Sequence, residues 1–247
     1  KRHTGTPPLP TAVKNAPRAA QPALGEGSAL KPVRIWFRKE GSARYISHLD
    51  LTRCFSRAMH KAKIPLWYTE GFSPRAYMVF ALPLSLGIRG ERESLDIRLE
   101  QDMAPEELVS RLNAALPPDL PVFAVTDPVM KPGKIAFASF EFTLEPETLS
   151  CEEALSKIED LLTWDDILVE KHSKTGPKLI NLAPYLTRTK VWQEDGKLRI
   201  SSILPAGSTE NVNPYLITTA IRLYLGFDFY ETAARTNLYD AEMTPFA

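Results

Sequence analysis

Ser47, His48 and Asp50 stand within one four-residue stretch. A hydroxyl, an imidazole and a carboxylate are the groups from which nucleophilic or general acid–base chemistry is built. Successive helical residues project about 100° apart, so Ser47 and His48 of a helix do not face each other. A second role accounts for two of the three: a serine ahead of the first turn, with Asp50 three residues on, covers exposed amide protons as in a capping box. His48, at an exposed helix start, is then the one catalytic candidate, because imidazole titrates near neutrality.

Binding residues are more numerous. Glu70, Gly71, Phe72, Ser73, Pro74 and Arg75 form a turn that gathers an acid, an aromatic ring and a guanidinium. Gly71 supplies a backbone geometry that other residues resist, and Pro74 stiffens the exit. Phe72 could stack on a base while Arg75 forks onto a phosphate; the alternative is a tight hairpin with Phe72 tucked into the core. A second group joins Lys171, His172, Lys174 and Lys178 to Tyr185, Arg188, Lys190 and Trp192. Basic residues among aromatics suit nucleic acid, and they equally suit a charged loop beside a strand. The candidate nucleic-acid contacts are Arg44, His48, Arg53, Arg57, Phe72, Arg75, Lys174 and Lys178.

Thirty basic residues balance thirty acidic ones, so no net charge drives the molecule onto polyanions. The local balance differs: between Lys31 and Arg75 ten bases face three acids, and the span 91–166 carries the opposite sign. There is no Gly-rich phosphate loop, no Gly-x-Ser-x-Gly and no His-Glu-x-x-His. The four histidines are scattered, which predicts no metal site and no cofactor. Two unpaired cysteines, Cys54 and Cys151, fit a reducing compartment. No run of about 18 apolar residues is present, so the expectation is a cytoplasmic protein without a membrane contact.

Those candidates need elements to hold them. Residues 1–32, rich in Pro and Ala, read as a flexible, disordered tail or linker, and a chain that starts on Lys1 reads as part of a longer one. Val33, Ile35 and Phe37 alternate with Arg34, Trp36 and Arg38 as a strand does. Leu51, Phe55, Ala58, Met59 and Ala62 form one helical stripe, ended by Pro65. Extended segments at 66–68, 76–84 and 94–99, a helix from about Asp102 with Pro105 in its first turn, and a strand at 121–125 complete a βαββαβ order. A second pass gives a strand at 139–144, a helix at 151–164 capped by Ser150 and Glu153, strands near 167–171 and 197–203, a helix at 214–225 between Asn213 and Gly226, and a strand at 229–232. Residues 173–194 fit as a long loop or an inserted strand pair. The expectation is α+β: two tandem ferredoxin-like (βαββαβ) domains with antiparallel sheets, at 33–130 and 136–240.

Tyr45-Ile-Ser-His-Leu-Asp-Leu51, Tyr68-Thr-Glu-Gly-Phe-Ser-Pro74 and Phe80-Ala-Leu-Pro-Leu-Ser-Leu-Gly87, together with Asn211-Val-Asn-Pro214 and Arg235-Thr-Asn-Leu-Tyr239, resemble the bacterial radical SAM-linked protein family, whose function is undefined. Ser73-Pro74 stands where that family commonly carries Asn-Pro. The resemblance covers about 33–239 and implies a module found alone or behind a radical SAM enzyme domain, with the Pro-rich start similar to the connector. The chain lacks the Cys-x-x-x-Cys-x-x-Cys set of an iron–sulfur cluster. The expected function is therefore a non-catalytic module that binds RNA (tRNA or rRNA) or a ribonucleoprotein and works with a radical SAM enzyme in cis or in trans. Two alternatives stay open: an RNA-processing or RNA-modifying enzyme with His48 as acid or base, by fold analogy to CRISPR repeat-processing endoribonucleases, and a protein-docking domain for the radical SAM partner, with 91–166 as its face.

Overall fold

In β1 (Lys31–Lys39) Val33, Ile35 and Phe37 point to one side and bury against Leu51, Phe55, Ala58 and Met59 of α1 (His48–Lys61) and Leu108 and Leu112 of α2 (Pro105–Asn113). These contacts are seen in a computed structural model that describes residues 30–173 and 176–247. Positions 1–29 of the expected tail, and Lys174, lie outside the described residues. The strand starts earlier than expected, because Lys31 and Pro32 pair with Leu99 and Arg98; the linker cannot run to residue 32.

β1 pairs antiparallel with β3 (Arg89–Leu99) on one side and β4 (Val122–Thr126) on the other, and β3 also carries β2 (Met78–Phe80). The extended segments on either side of the Gly71 turn contribute less than the pattern suggests: isolated bridges at Leu66–Leu99 and Tyr68–Ala76, then three residues of β2. Pro83 has no amide with which to continue a ladder, and Gly87 at φ +83° turns the chain, its N–H donating to the Arg44 carbonyl at 2.9 Å.

The second half contains β5 (Phe137–Pro146), α3 (Cys151–Leu161), β6 (Leu168–Ser173), β7 (Gly176–Asn181), β8 (Lys190–Glu194), β9 (Lys197–Pro205), α4 (Tyr215–Leu225) and β10 (Phe229–Tyr239). The capping box of Ser150 with Glu153 is present, and α4 closes on Gly226 in the left-handed region. Here the strand expected near 167–171 is not part of the main sheet. β6 and β7 form their own two-stranded sheet, and the strand beside β9 is β8. The reason is packing: Ile167 and Val169 bury in the second core, and the Leu168 backbone exchanges hydrogen bonds with the Tyr224 hydroxyl of α4 at 2.9 and 3.0 Å. Residues 173–194 are thus not one long loop: they hold β7, which pairs back onto β6, and β8, which pairs forward onto β9.

The main sheet has eight strands, seven in the order β4-β1-β3-β10-β5-β9-β8 with β2 beside β3. The fold is α+β, with four α-helices and a mostly antiparallel sheet. The two halves meet where β10 runs parallel to β3 for two residues, Ala234 beside Arg89 and Arg235 beside Gly90. Arg235 locks this seam. Its Nε and Nη2 donate to the Glu93 carboxylate at 3.0 and 2.5 Å, and its Nη2 and Nη1 donate to the carbonyls of Leu82 and Pro83 at 2.7 and 3.1 Å. Both side chains are buried, 3% and 7% exposed. A Cβ at Gly90 would sit 2.5 Å from Glu93 Cγ, so no larger residue fits beside the pair.

The other side of β1 is also covered. Arg34 forks onto Asp96 at 2.7 and 2.8 Å, donates to the carbonyls of Met130 and Ala247, and lies 4.1 Å over the Phe246 ring, which packs edge-on against Trp36. The final residues therefore fold back beneath the first strand.

Among the described residues no helix is long and apolar enough to cross a membrane. Breaking the seam pair from one side leaves a buried carboxylate alone. Arg235→Met should cost about 3–5 kcal/mol, read as a drop in the urea midpoint, and Glu93→Leu together with Arg235→Met should recover much of it. A wild-type midpoint for Arg235→Met would show that the pair does not hold the seam.

Candidate nucleic-acid interface

Ser47 caps α1 as its position suggested: its Oγ accepts from the Asp50 N–H at 3.1 Å and donates to Asp50 Oδ2 at 2.7 Å. The apolar stripe of α1 faces the sheet, which leaves Arg53, Arg57 and Lys61, four residues apart, on one outer line. They line a groove of about 380 Å³ with Asp50, Cys54, Ala58, Ala115 and Pro117. Arg53 reaches Asp50 at 3.2 Å, both side chains being more than half exposed, so the pair is worth little and screens readily. The Ser47 hydroxyl and then Arg53 hold the Asp50 carboxyl below its usual range. Burial pushes the Cys54 thiol up against the opposing pull of Arg57, which keeps it protonated and unreactive at neutral pH.

The other candidates separate. Arg44 turns toward the second half: its guanidinium stacks on Tyr45 at 4.7 Å, its field reaches Tyr215, and its Nε is buried without a hydrogen bond. Phe72 is wholly exposed at 111% rather than tucked into the core, on a turn in which Gly71 takes φ +128°. Thr69 clamps that turn, its N–H donating to the Arg75 carbonyl at 2.8 Å and its Oγ1 accepting from the Arg75 N–H at 3.1 Å. Lys178 is exposed on β7 opposite Lys171, whose ammonium donates to the Asn211 carbonyl at 2.6 Å. Tyr185, Arg188 and Trp192 disperse, Tyr185 onto Glu210 at 2.7 Å, Arg188 onto Met243 and Phe137, and Trp192 onto edge strand β8.

His48 stands at the start of α1 with its ring edge-on to Phe80 at 5.2 Å. Burial pushes its pKa below the ordinary 6.5, and the field of Lys39 adds to the shift. Lys39 is itself fully buried, donates to the Ile46 carbonyl at 3.0 Å, and has its pKa lowered by burial against the pull of Glu93. Lys39, Glu93 and Arg235 were not among the sequence candidates. A signal existed for two of them: Lys39 continues the inward phase of Val33, Ile35 and Phe37, and Glu93 continues that of Leu95, Ile97 and Leu99, so both charges fall on core positions. Among the described residues no group of three or more His, Cys, Asp or Glu side chains could hold a metal ion.

The molecule is thus an α+β protein with a mostly antiparallel sheet, a salt-bridged seam and a cation-lined helix groove. It belongs to the family described as uncharacterized protein conserved in bacteria (DUF2344), which matches residues 32–214. No curated protein matches it. Among solved structures it is similar to an unknown protein from Galdieria sulphuraria at 11% identity and a TM-score of 0.25, covering 83% of this chain and 99% of that one. It is also similar to a putative glycine cleavage system transcriptional repressor at 10% identity and a TM-score of 0.22, covering 84% and 99%. Scores this low carry no inference about fold or function.

The His48 shift has a sign that can be checked. A histidine whose folded pKa is depressed binds fewer protons folded than unfolded below the ordinary value. Its contribution is therefore intact above pH 6.5 and is lost as the pH falls from there through the folded value. The His48 ring should titrate below 6.5 by NMR, and His48→Asn should flatten the fall of stability on the acid side. A ring that titrates above that value removes the account of its environment.

Proposed function

We propose that this protein is a non-catalytic RNA-binding module, built from two ferredoxin-like units side by side, that works with a radical SAM enzyme. What supports the architecture is repetition of strand order: β4-β1-β3-β2 in the first half and β10-β5-β9-β8 in the second, each with two helices, the β6–β7 pair being an insertion in the second. Residues 33–130 and 136–240 are the corresponding domains. The radical SAM partnership rests on the resemblance of the Ser47–Asp50, Gly71–Pro74 and Phe80–Gly87 segments.

One observation carries the binding reading: Arg53, Arg57 and Lys61 lie in line along one groove, with Asp50 as the lone acid lining it. A row of cations about 6 Å apart, one per helical turn, is on the scale of successive phosphates along a nucleic-acid strand. The exposed Phe72 ring on its clamped turn is a stacking surface of the kind that binds unpaired bases. tRNA or rRNA is the ligand class, and Arg75, Lys178 and Lys174 are further contacts proposed for it. His48 is assigned no proton transfer, since no carboxylate or hydroxyl orients its ring among the described residues.

The test is a titration of tRNA against the chain at several salt concentrations. Arg53→Glu with Arg57→Glu should weaken binding at least about tenfold and lower the slope of log affinity on log salt by about one to two. Phe72→Ala should weaken a single-stranded RNA by about fivefold or more. Absence of tRNA and rRNA binding at low salt, or affinity untouched by the double charge reversal, defeats the proposal.

A further inference from the structure

Away from the helix groove, the strands carry a second basic surface. Register fixes its side: Trp36 pairs with Ser94 and Arg34 with Asp96, so the even positions of β1 and β3 share the face opposite Val33, Ile35 and Phe37. Arg92 continues that phase, its guanidinium 4.4 Å over the Trp36 ring, and Arg38 lies 5.7 Å over the ring of Phe123. Both arginines are exposed. With Arg89, Glu40 and Glu91 they line a cleft of about 470 Å³ beside the seam where β3 meets β10.

The charges in this cleft are not equivalent. Arg89 is paired with Glu91 at 2.7 Å, whereas Arg38 and Arg92 have no carboxylate or carbonyl partner among the described residues. A guanidinium held over an aromatic ring loses part of its freedom and keeps N–H donors available for a bidentate acceptor. Phosphate fits that fork. Phe123 remains 44% exposed at the rim, with the Arg38 guanidinium beside its ring. The volume is within the range of small-ligand clefts, about 300–1,000 Å³, enough for one nucleotide and too small for a duplex.

From this we infer that the cleft takes one nucleotide of a single-stranded RNA, its phosphate on the forks of Arg38 and Arg92 and its base against Phe123. A single strand is required because paired bases keep their faces stacked inside the helix. The inference rests on the RNA reading above for the identity of the polymer. The site itself is separate from the helix groove, so the two can fail independently.

Fluorescence anisotropy with a labelled hexauridylate and the full chain tests it. The wild-type chain should bind at low salt, and Arg38→Gln with Arg92→Gln should weaken binding at least about tenfold. Phe123→Ala should weaken it about fivefold or more, while Lys157→Gln on α3, outside both surfaces, should leave it within about twofold. Arg38→Lys with Arg92→Lys keeps the charge without the fork and should fall between, which covers the case of a glutamine pair that melts early. No saturable binding by the wild-type chain, or equal binding by the glutamine pair, overturns the cleft. Binding of tRNA without binding of hexauridylate overturns it too, and leaves the proposed function standing. Displacement by uridine monophosphate at equal concentration overturns the polymer in favour of a free nucleotide, and an inert Phe123→Ala overturns the base contact.

Discussion

Two residues of parallel pairing are a thin join between an N-terminal and a C-terminal half, and the buried contact of Arg235 with Glu93 is what fixes it. One guanidinium satisfies a carboxylate from β3 and the carbonyls of Leu82 and Pro83 from the segment after β2. Strand pairing, the position of that segment and the burial of Gly90 are thereby tied to a single side chain on the last strand. A buried ion pair is a poor source of net stability compared with apolar packing, because both charges must leave water. Its value here is geometric: with every polar edge matched, only one register of β10 against β3 leaves no charge stranded.

The same economy explains why counting charges gave a blurred picture of the surface. Ten bases face three acids between Lys31 and Arg75, yet Arg34 and Lys39 are spent inside the protein, one on Asp96 and backbone carbonyls, the other on Ile46. Lys31 reaches Asp102 at 2.6 Å. What remains splits by local geometry: Arg53, Arg57 and Lys61 on the outer side of α1, Lys63 exposed just past its end, Arg75 exposed on the Gly71 turn, Arg38 over Phe123 on the sheet, Arg44 toward the second half. Proximity in sequence placed them in one group; the geometry of each element disperses them.

Much of the fold was legible. The stripe of α1, its serine cap, the first-turn proline of α2 and the Ser150–Glu153 box are local devices, and local devices survive into the structure because they involve residues already adjacent. The β6–β7 pair was only half legible. Leu168 and Val169 look like sheet strand to a period-two pattern, and nothing short-range says that their partner is a hairpin packed on α4. Arg44 was misleading for the same reason, since its destination beside Tyr215 is set by how the halves meet. Phe72 shows the limit in reverse: an aromatic at a turn has two equally physical fates, and the surrounding residues decide which. Lys39 and Glu93 were readable in principle, as charges on core phase, and such breaks of pattern mark places where a fold uses polarity structurally.

The return of Phe246 beneath β1 has a consequence for how the molecule is made. Arg34 and the Ala247 carbonyl are separated by 213 positions, so while a ribosome is still extending the chain, the first strand has emerged with its Trp36 side bare. Contacts of such long span form late and slowly. The N-terminal half must therefore wait, partly unclothed, until residues 246–247 have left the exit tunnel, and through that interval its exposed tryptophan is a natural handle for a chaperone.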